Sequence, residues 1–300
     1  MIRNITRFTE SVLTSQCMVG MLRVQSVFEA EVCITEAQVQ SQPLLLLLDF
    51  PEGLKARQVK YLSAMIQDLG AVVGLGMART SSLDQVRDAI GAGASYVSFD
   101  VSHLPFAKAL EQAQYVTQLA HAQYVFVEII IGGFQKSTWT GVGKTTFDIE
   151  DFTRKVRADV LGVDLESQSR ELASGGLSGG NADFLSDMAR RTEVPVAIHG
   201  GLVGSGGLSG VLQSDLEAKY RSLAGVSEHA CMQLSGYGVK YFAVERDGEF
   251  LLDLSYRKSL KSTKKSALIT EEQLRQEYQE VMRQFLTYMY KLCANTYELS

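Results

Sequence analysis

Short apolar runs, each bounded by glycine, proline or polar residues, recur along the whole sequence, and longer segments with helical spacing separate them. The runs occupy eight ranges: 18–22, 43–49, 71–77, 96–101, 124–131, 160–165, 194–200 and 239–244. Runs this short and this uniformly apolar are typical of parallel strands covered on both faces. Eight strands that alternate with helices predict an α/β fold, a (β/α)8 TIM barrel.

The segments between the runs carry helix signals. Residues 83–94 place Leu83, Val86 and Ile90 on one helical face and then reach glycine, a common helix terminator. Near the C-terminus, Thr270 and Gln273 predict a capping box. A stripe of large apolar residues follows at helical spacing: Leu274, Tyr278, Val281, Phe285, Met289 and Leu292. We therefore expect a C-terminal helical extension, with a helix over about residues 271–295 that covers the barrel or a second copy.

The domain organisation follows from length and from the absence of linkers. The 300 residues, 46% of them hydrophobic, contain neither an internal repeat nor a segment that would divide the chain. We expect one barrel domain over residues 1–300. Residues 202–224 are rich in glycine and serine before they become helical, which predicts an insertion after the seventh strand.

Composition excludes several classes of partner. The 34 acidic and 29 basic residues give a net charge of −5, which argues against a nucleic-acid-binding surface. The basic stretch 257–265 reads as a solvated loop before the last helix. The four cysteines are scattered, as in reduced cytosolic proteins, and the chain shows neither a signal peptide nor a run long enough to cross a bilayer. We expect a soluble, cytoplasmic protein without a membrane partner.

In such barrels the chemistry lies at the C-terminal ends of the strands. The residues that close the runs are Asp49, Ala78 with Arg79, Asp100, Glu128, Glu166 and the residues after it, His199, and the range 243–246. Residues 138–146 end like a phosphate-binding P-loop, but Thr138 stands where the first glycine is needed. We interpret this segment as a loop over the barrel mouth that makes Lys144 available to an anion.

Three stretches together resemble the class II fructose-bisphosphate and tagatose-bisphosphate aldolases. They are VSFDVSHLPF at 97–106, followed by a long helix through QLAHA; YVFVEIIIG at 124–132; and VPVAIHGG at 194–201. The similarity runs from about residue 18 to 295. It implies a zinc-dependent barrel that cleaves a ketose bisphosphate and assembles into homodimers or tetramers.

The resemblance also implies three zinc-binding histidines, and only one is present. The family's acid/base aspartate falls on Ala78, and the first zinc histidine falls on Arg79. The second histidine position falls on Ser169, while His199 keeps the third. Arginine stays protonated and has no lone pair to offer a metal. We therefore expect no metal and no cofactor, with the family's zinc lost.

Other family positions are partly retained. Glu128 keeps the first glutamate of the fifth-strand motif, but Ile130 replaces the second. Gly200 and Gly201 keep the start of the phosphate loop. The substrate-binding asparagine of the eighth strand falls on Ala243 or Phe242.

Three functions remain open. The first is a pseudoenzyme of carbohydrate metabolism that binds a ligand or supports a partner as a non-catalytic subunit. The second is a repurposed lyase or other enzyme for a phosphorylated, sugar-like molecule, in which Arg79 and Arg170 hold the anion and Glu128, Glu166 and His199 act as acid/base groups or bind Mg²⁺ or Mn²⁺. The third is an active ketose-bisphosphate aldolase whose ligands lie elsewhere. A salt bridge from Arg79 to Glu128 or Glu166 would favour the first function, and an open, phosphate-occupied mouth the second.

Overall fold

Eight parallel strands close into a barrel in the computed structural model of this chain. The structure describes residues 18–50, 53–132, 146–164, 179–200, 233–234, 236–244, 247–262 and 270–294. The strands are β1 Val19–Val24, β2 Leu44–Leu48, β3 Val73–Thr80, β4 Tyr96–Asp100, β5 Phe126–Ile131, β6 Val160–Asp164, β7 Val196–Gly200 and β8 Val239–Val244. Each strand pairs with the next, and β8 pairs with β1. The predicted TIM barrel is confirmed.

Helices follow the strands in the order that the sequence predicts. Within the described residues they are α1 Val27–Gln40, α2 Ala56–Leu69, α3 Leu83–Ala92, α4 Phe106–His121, α5 Thr146–Val156, α6 Gly179–Thr192, α7 Asp247–Ser262 and α8 Glu271–Ala294. Helix α3 ends as predicted at Gly93, whose φ of 96° is strained for any residue with a side chain. No helix in these segments is long and apolar enough to span a bilayer.

Side chains alternate between the helices outside each strand and the barrel interior. The outward set forms the large core between strands and helices. The inward set mixes small and large residues that fill the interior: Val19, Met21, Leu45, Leu47, Ala78, Tyr96, Val160, Ala197, Tyr241 and Ala243. The interior is therefore packed rather than hollow, and polar groups within it need partners of their own.

Strand β3 departs from this alternation close to its end. Its pairing with β4 shifts between Met77 and Thr80, so that two residues of β3, Ala78 and Arg79, lie opposite a single residue of β4. Such a bulge re-aims the side chains beside it. Ala78 packs inside the barrel, and its neighbour Arg79 still reaches carboxylates on the inward face.

The predicted C-terminal extension is present as α8. Its capping box is formed as expected, because the Thr270 amide donates to Oε1 of Gln273 at 3.0 Å and the Gln273 amide donates to Oγ1 of Thr270 at 3.2 Å. Arg283 joins α8 to α1 through two hydrogen bonds to the buried carboxylate of Glu36, at 3.0 and 3.2 Å. Residues 257–262, predicted as a loop, instead belong to α7, because the apolar residues upstream carry the helix into the basic stretch.

Helix α8 approaches β1 closely at Gly20. A methyl group built on Gly20 would lie 2.3 Å from Cε and 2.5 Å from Sδ of Met289. Met289 is fully buried, so it has no solvent-filled space to enter. The contact ties the C-terminal helix to the first strand of the barrel.

The Gly20→Ala substitution should therefore lower the free energy of unfolding by about 1–3 kcal/mol, the usual range for overpacking a core. Urea unfolding followed by circular dichroism measures this. Gly91→Ala is the matched control, since an added methyl on this exposed residue of α3 meets nothing within 4 Å. It should be neutral or stabilising by up to about 1 kcal/mol. Equal stability of the two variants would contradict the proposed contact.

Candidate functional site

Arg79 lies across the barrel mouth and joins the ends of two strands that are not neighbours. Its Nε and Nη2 both contact Oδ2 of Asp100, at 2.8 and 2.7 Å, and Nη2 also lies 2.7 Å from Oδ2 of Asp164. Asp100 closes β4 and Asp164 closes β6. We call these three residues the mouth cluster. Their side chains are 22%, 13% and 18% exposed, so the cluster is shielded from solvent without being sealed.

Asp100 is held in its ionised form. Burial by itself would raise its pKa, but the Arg79 charge and hydrogen bonds from Ser102 outweigh burial and hold the pKa below its usual range. The Ser102 amide donates to Oδ1 of Asp100 at 2.8 Å, so each oxygen of this carboxylate has a donor. A carboxylate with a lowered pKa is a poor general base near neutral pH.

A second arginine pairs with a third strand-end aspartate at the same mouth. Nε of Arg23, from β1, lies 2.8 Å from Oδ2 of Asp49, the residue that follows β2, and Nη2 contacts the same oxygen. Asp49 is 43% exposed, so solvent screens this pair more than the mouth cluster. Both guanidinium groups at the described mouth are thus engaged by carboxylates.

Glu128 and His199 form a pair deeper in the barrel, which we call the core pair. Nε2 of His199 lies 2.6 Å from Oε1 of Glu128, and neither side chain is exposed. Oγ of Ser98 donates to Oε2 of Glu128. With Glu128 as a carboxylate it accepts both bonds, which places the His199 proton on Nε2. Burial of the core pair depends on the two side chains remaining together, because either one left there without its partner would be strongly destabilising.

Gly162 of β6 provides the space for the core pair. A methyl group on this residue would lie 2.5 Å from Oε1 of Glu128 and 2.8 Å from Cγ1 of Ile130. The Tyr96 hydroxyl is buried without a hydrogen-bond partner of normal geometry among the described residues. Burial, together with the charge of Glu128, raises the pKa of Tyr96 well above its usual value. Tyr96 therefore stays a neutral phenol beside the core pair.

The structure separates the predicted site residues into two levels. Arg79 and His199 lie next to the last residues of β3 and β7, as expected, and Gly200 closes β7. The prediction that Glu128 closes its strand is wrong, because β5 continues to Ile131 and leaves Glu128 inside the barrel. The salt bridge considered between Arg79 and Glu128 is not formed; the bulge keeps Arg79 at the mouth. The remaining predicted residues lie outside the described ones: Glu166, Ser169, Arg170, Gly201 and Lys144.

Sequence reasoning overlooked four residues of this site: Arg23, Ser98, Gly162 and Asp164. Asp164 had a usable signal, since it lies one residue before the end of its apolar run, as Asp100 does, and Asp49 ends another run. Ser98 and Gly162 had no such signal, because each is one small residue inside an apolar strand.

The zinc site implied by the resemblance does not fit the described residues. Arg79, at the first ligand position, cannot donate electrons to a metal. A histidine bonded to a carboxylate is common beside zinc, where its other nitrogen holds the ion, so His199 suits a ligand position and Arg79 does not. Among the described residues, no three His, Cys, Asp or Glu side chains come together as a possible metal-binding group.

The fold defines a (β/α)8 barrel protein with a polar mouth at the C-terminal ends of its strands. The sequence model of fructose-bisphosphate aldolase class-II matches residues 3–295. The chain therefore belongs to the class II fructose-bisphosphate aldolase family.

Curated aldolases match this chain at low sequence identity. The 6-phospho-5-dehydro-2-deoxy-D-gluconate aldolase of Shouchella clausii (strain KSM-K16) is 25% identical over 195 residues, which cover 61% of this chain and 65% of that protein. The fructose-bisphosphate aldolase of Geobacillus stearothermophilus is 23% identical over 201 residues, 63% of this chain and 69% of that protein. The match to the first relative thus spans less than two thirds of its length.

Solved structures share the fold over almost the whole chain. The YdjI aldolase from Escherichia coli K12 superposes with a TM-score of 0.68 at 12% identity, covering 99% of this chain and 98% of that one. The fructose-bisphosphate aldolase of Campylobacter jejuni gives a TM-score of 0.66 at 13% identity, covering 97% and 92%. At such identities the likeness establishes the architecture alone.

Removing either member of the core pair should destabilise the chain strongly. Glu128→Leu and His199→Leu should each lower the free energy of unfolding by about 3–5 kcal/mol, because each leaves a buried partner uncompensated. The double variant should lose less than the sum of the two, as measured by urea unfolding. Arg154→Ala is the surface control, since its ion pair with Asp151 is solvent-exposed and its removal should hardly change the free energy of unfolding. Additive losses in the double variant would rule out the coupling.

Acid should weaken the mouth cluster through Asp100. The pKa of Asp100 in the folded chain is below its ordinary value of 3.8. Its ionised form therefore contributes stability above that value, and the contribution disappears as the pH falls through the folded pKa. Urea titrations from about pH 5 to about pH 3 should show a smaller loss of stability for Asp100→Asn than for wild type. Identical losses would contradict this assignment; near neutral pH both chains should respond to pH alike.

Proposed function

We propose that this chain is a class II aldolase-like protein that has lost zinc-dependent aldol cleavage and acts as a non-catalytic subunit or ligand-binding homologue. The observation that carries the proposal is the placement of Arg79. This residue occupies the position of a zinc ligand in the resemblance, and its guanidinium lies across the mouth on two carboxylates. A positive charge at that point opposes the approach of a divalent cation and supplies no electron pair to it.

The other groups that the resemblance assigns to the reaction give the same support. Ala78 replaces the acid/base aspartate and is packed in the barrel interior. Ile130 replaces a glutamate and is fully buried. His199 is fully buried on Glu128. Positions 78 and 130 therefore supply neither the acid/base aspartate nor the second glutamate that the resemblance implies.

The mouth cluster also bears on the alternative of a repurposed enzyme. In that alternative, Arg79 would hold a phosphate or carboxylate of the substrate. In the described residues Nε and Nη2 of this guanidinium already contact Asp100 and Asp164, and the negative charges of the two carboxylates oppose the approach of a substrate anion. This arrangement favours the non-catalytic function.

Purified wild-type chain should contain well under one zinc per molecule by plasma emission analysis, even after incubation with zinc. It should cleave neither fructose 1,6-bisphosphate nor tagatose 1,6-bisphosphate, and it should not cleave 6-phospho-5-dehydro-2-deoxy-D-gluconate, which a relative's name supplies as a third substrate. An active class II aldolase handled in parallel verifies the metal loading and the assays. Stoichiometric zinc whose removal abolishes cleavage would overturn the proposal.

A further inference from the structure

The mouth cluster contains two carboxylates that require a cation between them. Oδ2 of Asp100 and Oδ2 of Asp164 each lie 2.7 Å from the same nitrogen of Arg79. The two oxygens are therefore no further apart than twice that distance. Like charges this close, on side chains mostly shielded from water, repel each other unless a positive charge lies between them.

The strand between the two aspartates offers no alternative partner. Ile130 of β5 pairs in register with Asp100 on one side and with Gly162 on the other. Ile130 is apolar and fully buried, so it contributes neither a donor nor a charge. Among the described residues, Arg79 is the cation that contacts both carboxylates.

Arg79 contacts the two aspartates through one edge of its planar guanidinium group. Nε and Nη2, two donors on one edge of the group, converge on Oδ2 of Asp100, while Nη2 also serves Asp164. Such an edge is a fixed array of donors, unlike the compact charge of an ammonium group. Zinc prefers nitrogen and sulfur donors in a tetrahedral set, and Mg²⁺ needs six oxygen ligands around it. Two aspartates arranged around a flat donor edge suit neither ion as well.

We propose that Arg79 is a tethered counter-cation: it neutralises the two carboxylates permanently, from within the chain, in place of an exchangeable ion. The inference rests on the proposed loss of the zinc site. It further implies that removal of the Arg79 side chain creates a binding site for a free planar monocation, guanidinium, bounded by Asp100 and Asp164.

Chemical rescue of Arg79→Ala tests this inference. The variant should have a lower Tm than wild type, and guanidinium chloride, far below denaturing concentrations, should raise that Tm along a saturable curve. Equal concentrations of sodium chloride, or of urea as the neutral planar analogue, should not. Wild type should show no rise, because its site is filled. Arg79→Gln is the second variant, should Arg79→Ala fold poorly, and it should show a smaller rise because its side chain occupies part of the space.

Two control variants test whether guanidinium acts at the mouth cluster. Arg87→Ala removes a guanidinium whose partner Asp84 is exposed on the surface, so guanidinium should not raise its Tm. In the Arg79→Ala chain that also carries Asp100→Asn and Asp164→Asn, the repelling charges are gone and the rescue should disappear. Rescue that persists in this triple variant would contradict the assigned site.

Three results would overturn the tethered counter-cation. They are a Tm of Arg79→Ala equal to that of wild type, a folded variant that guanidinium does not stabilise, and stronger stabilisation by Zn²⁺ or Mg²⁺ than by guanidinium. None of them depends on the metal content or aldolase activity of the wild-type chain. Failure of this inference is therefore distinguishable from failure of the proposed function.

Discussion

One fixed positive charge organises the polar end of this barrel. The Arg79 guanidinium cannot be neutralised at any ordinary pH, and it lies between carboxylates from β4 and β6, strands that do not touch each other. Its position depends on the bulge at the end of β3, which directs a residue toward the mouth that regular alternation would turn toward the helices. The position of the positive charge at the mouth thus depends on the bulge in β3.

Below the mouth, the core pair of Glu128 and His199 is a separate and fully buried polar contact. Glu128 and His199 are sealed from water and compensate each other, and Ser98 occupies the second carboxylate oxygen. The pair exists because Gly162 leaves the space for it. Buried ionic groups do not guarantee a stable fold, but removal of one partner is strongly destabilising. The interior therefore constrains which substitutions these positions tolerate, whatever the chain binds.

Family membership and chemistry are separable in this chain. The barrel, its strand order and its C-terminal helix are those of the class II fructose-bisphosphate aldolase family. A fold of this kind hosts many activities, so activity has to be argued from individual side chains. Arginine at a ligand position, alanine at an acid/base position and isoleucine beside the mouth all change the same region. These three replacements are the basis of the proposed loss of metal and proton chemistry and of the proposed non-catalytic role.

The sequence by itself determined the barrel, because short apolar runs and capped helices are local patterns, and it determined that Arg79 cannot bind zinc, because that follows from the guanidinium alone. Tertiary structure decided which carboxylates Arg79 meets, and that Glu128 lies inside the barrel rather than at its mouth. These contacts join strands far apart in the chain, and the direction of each side chain depends on strand register and on one bulge. Neither the strand register nor the bulge can be deduced from the residues adjacent in sequence.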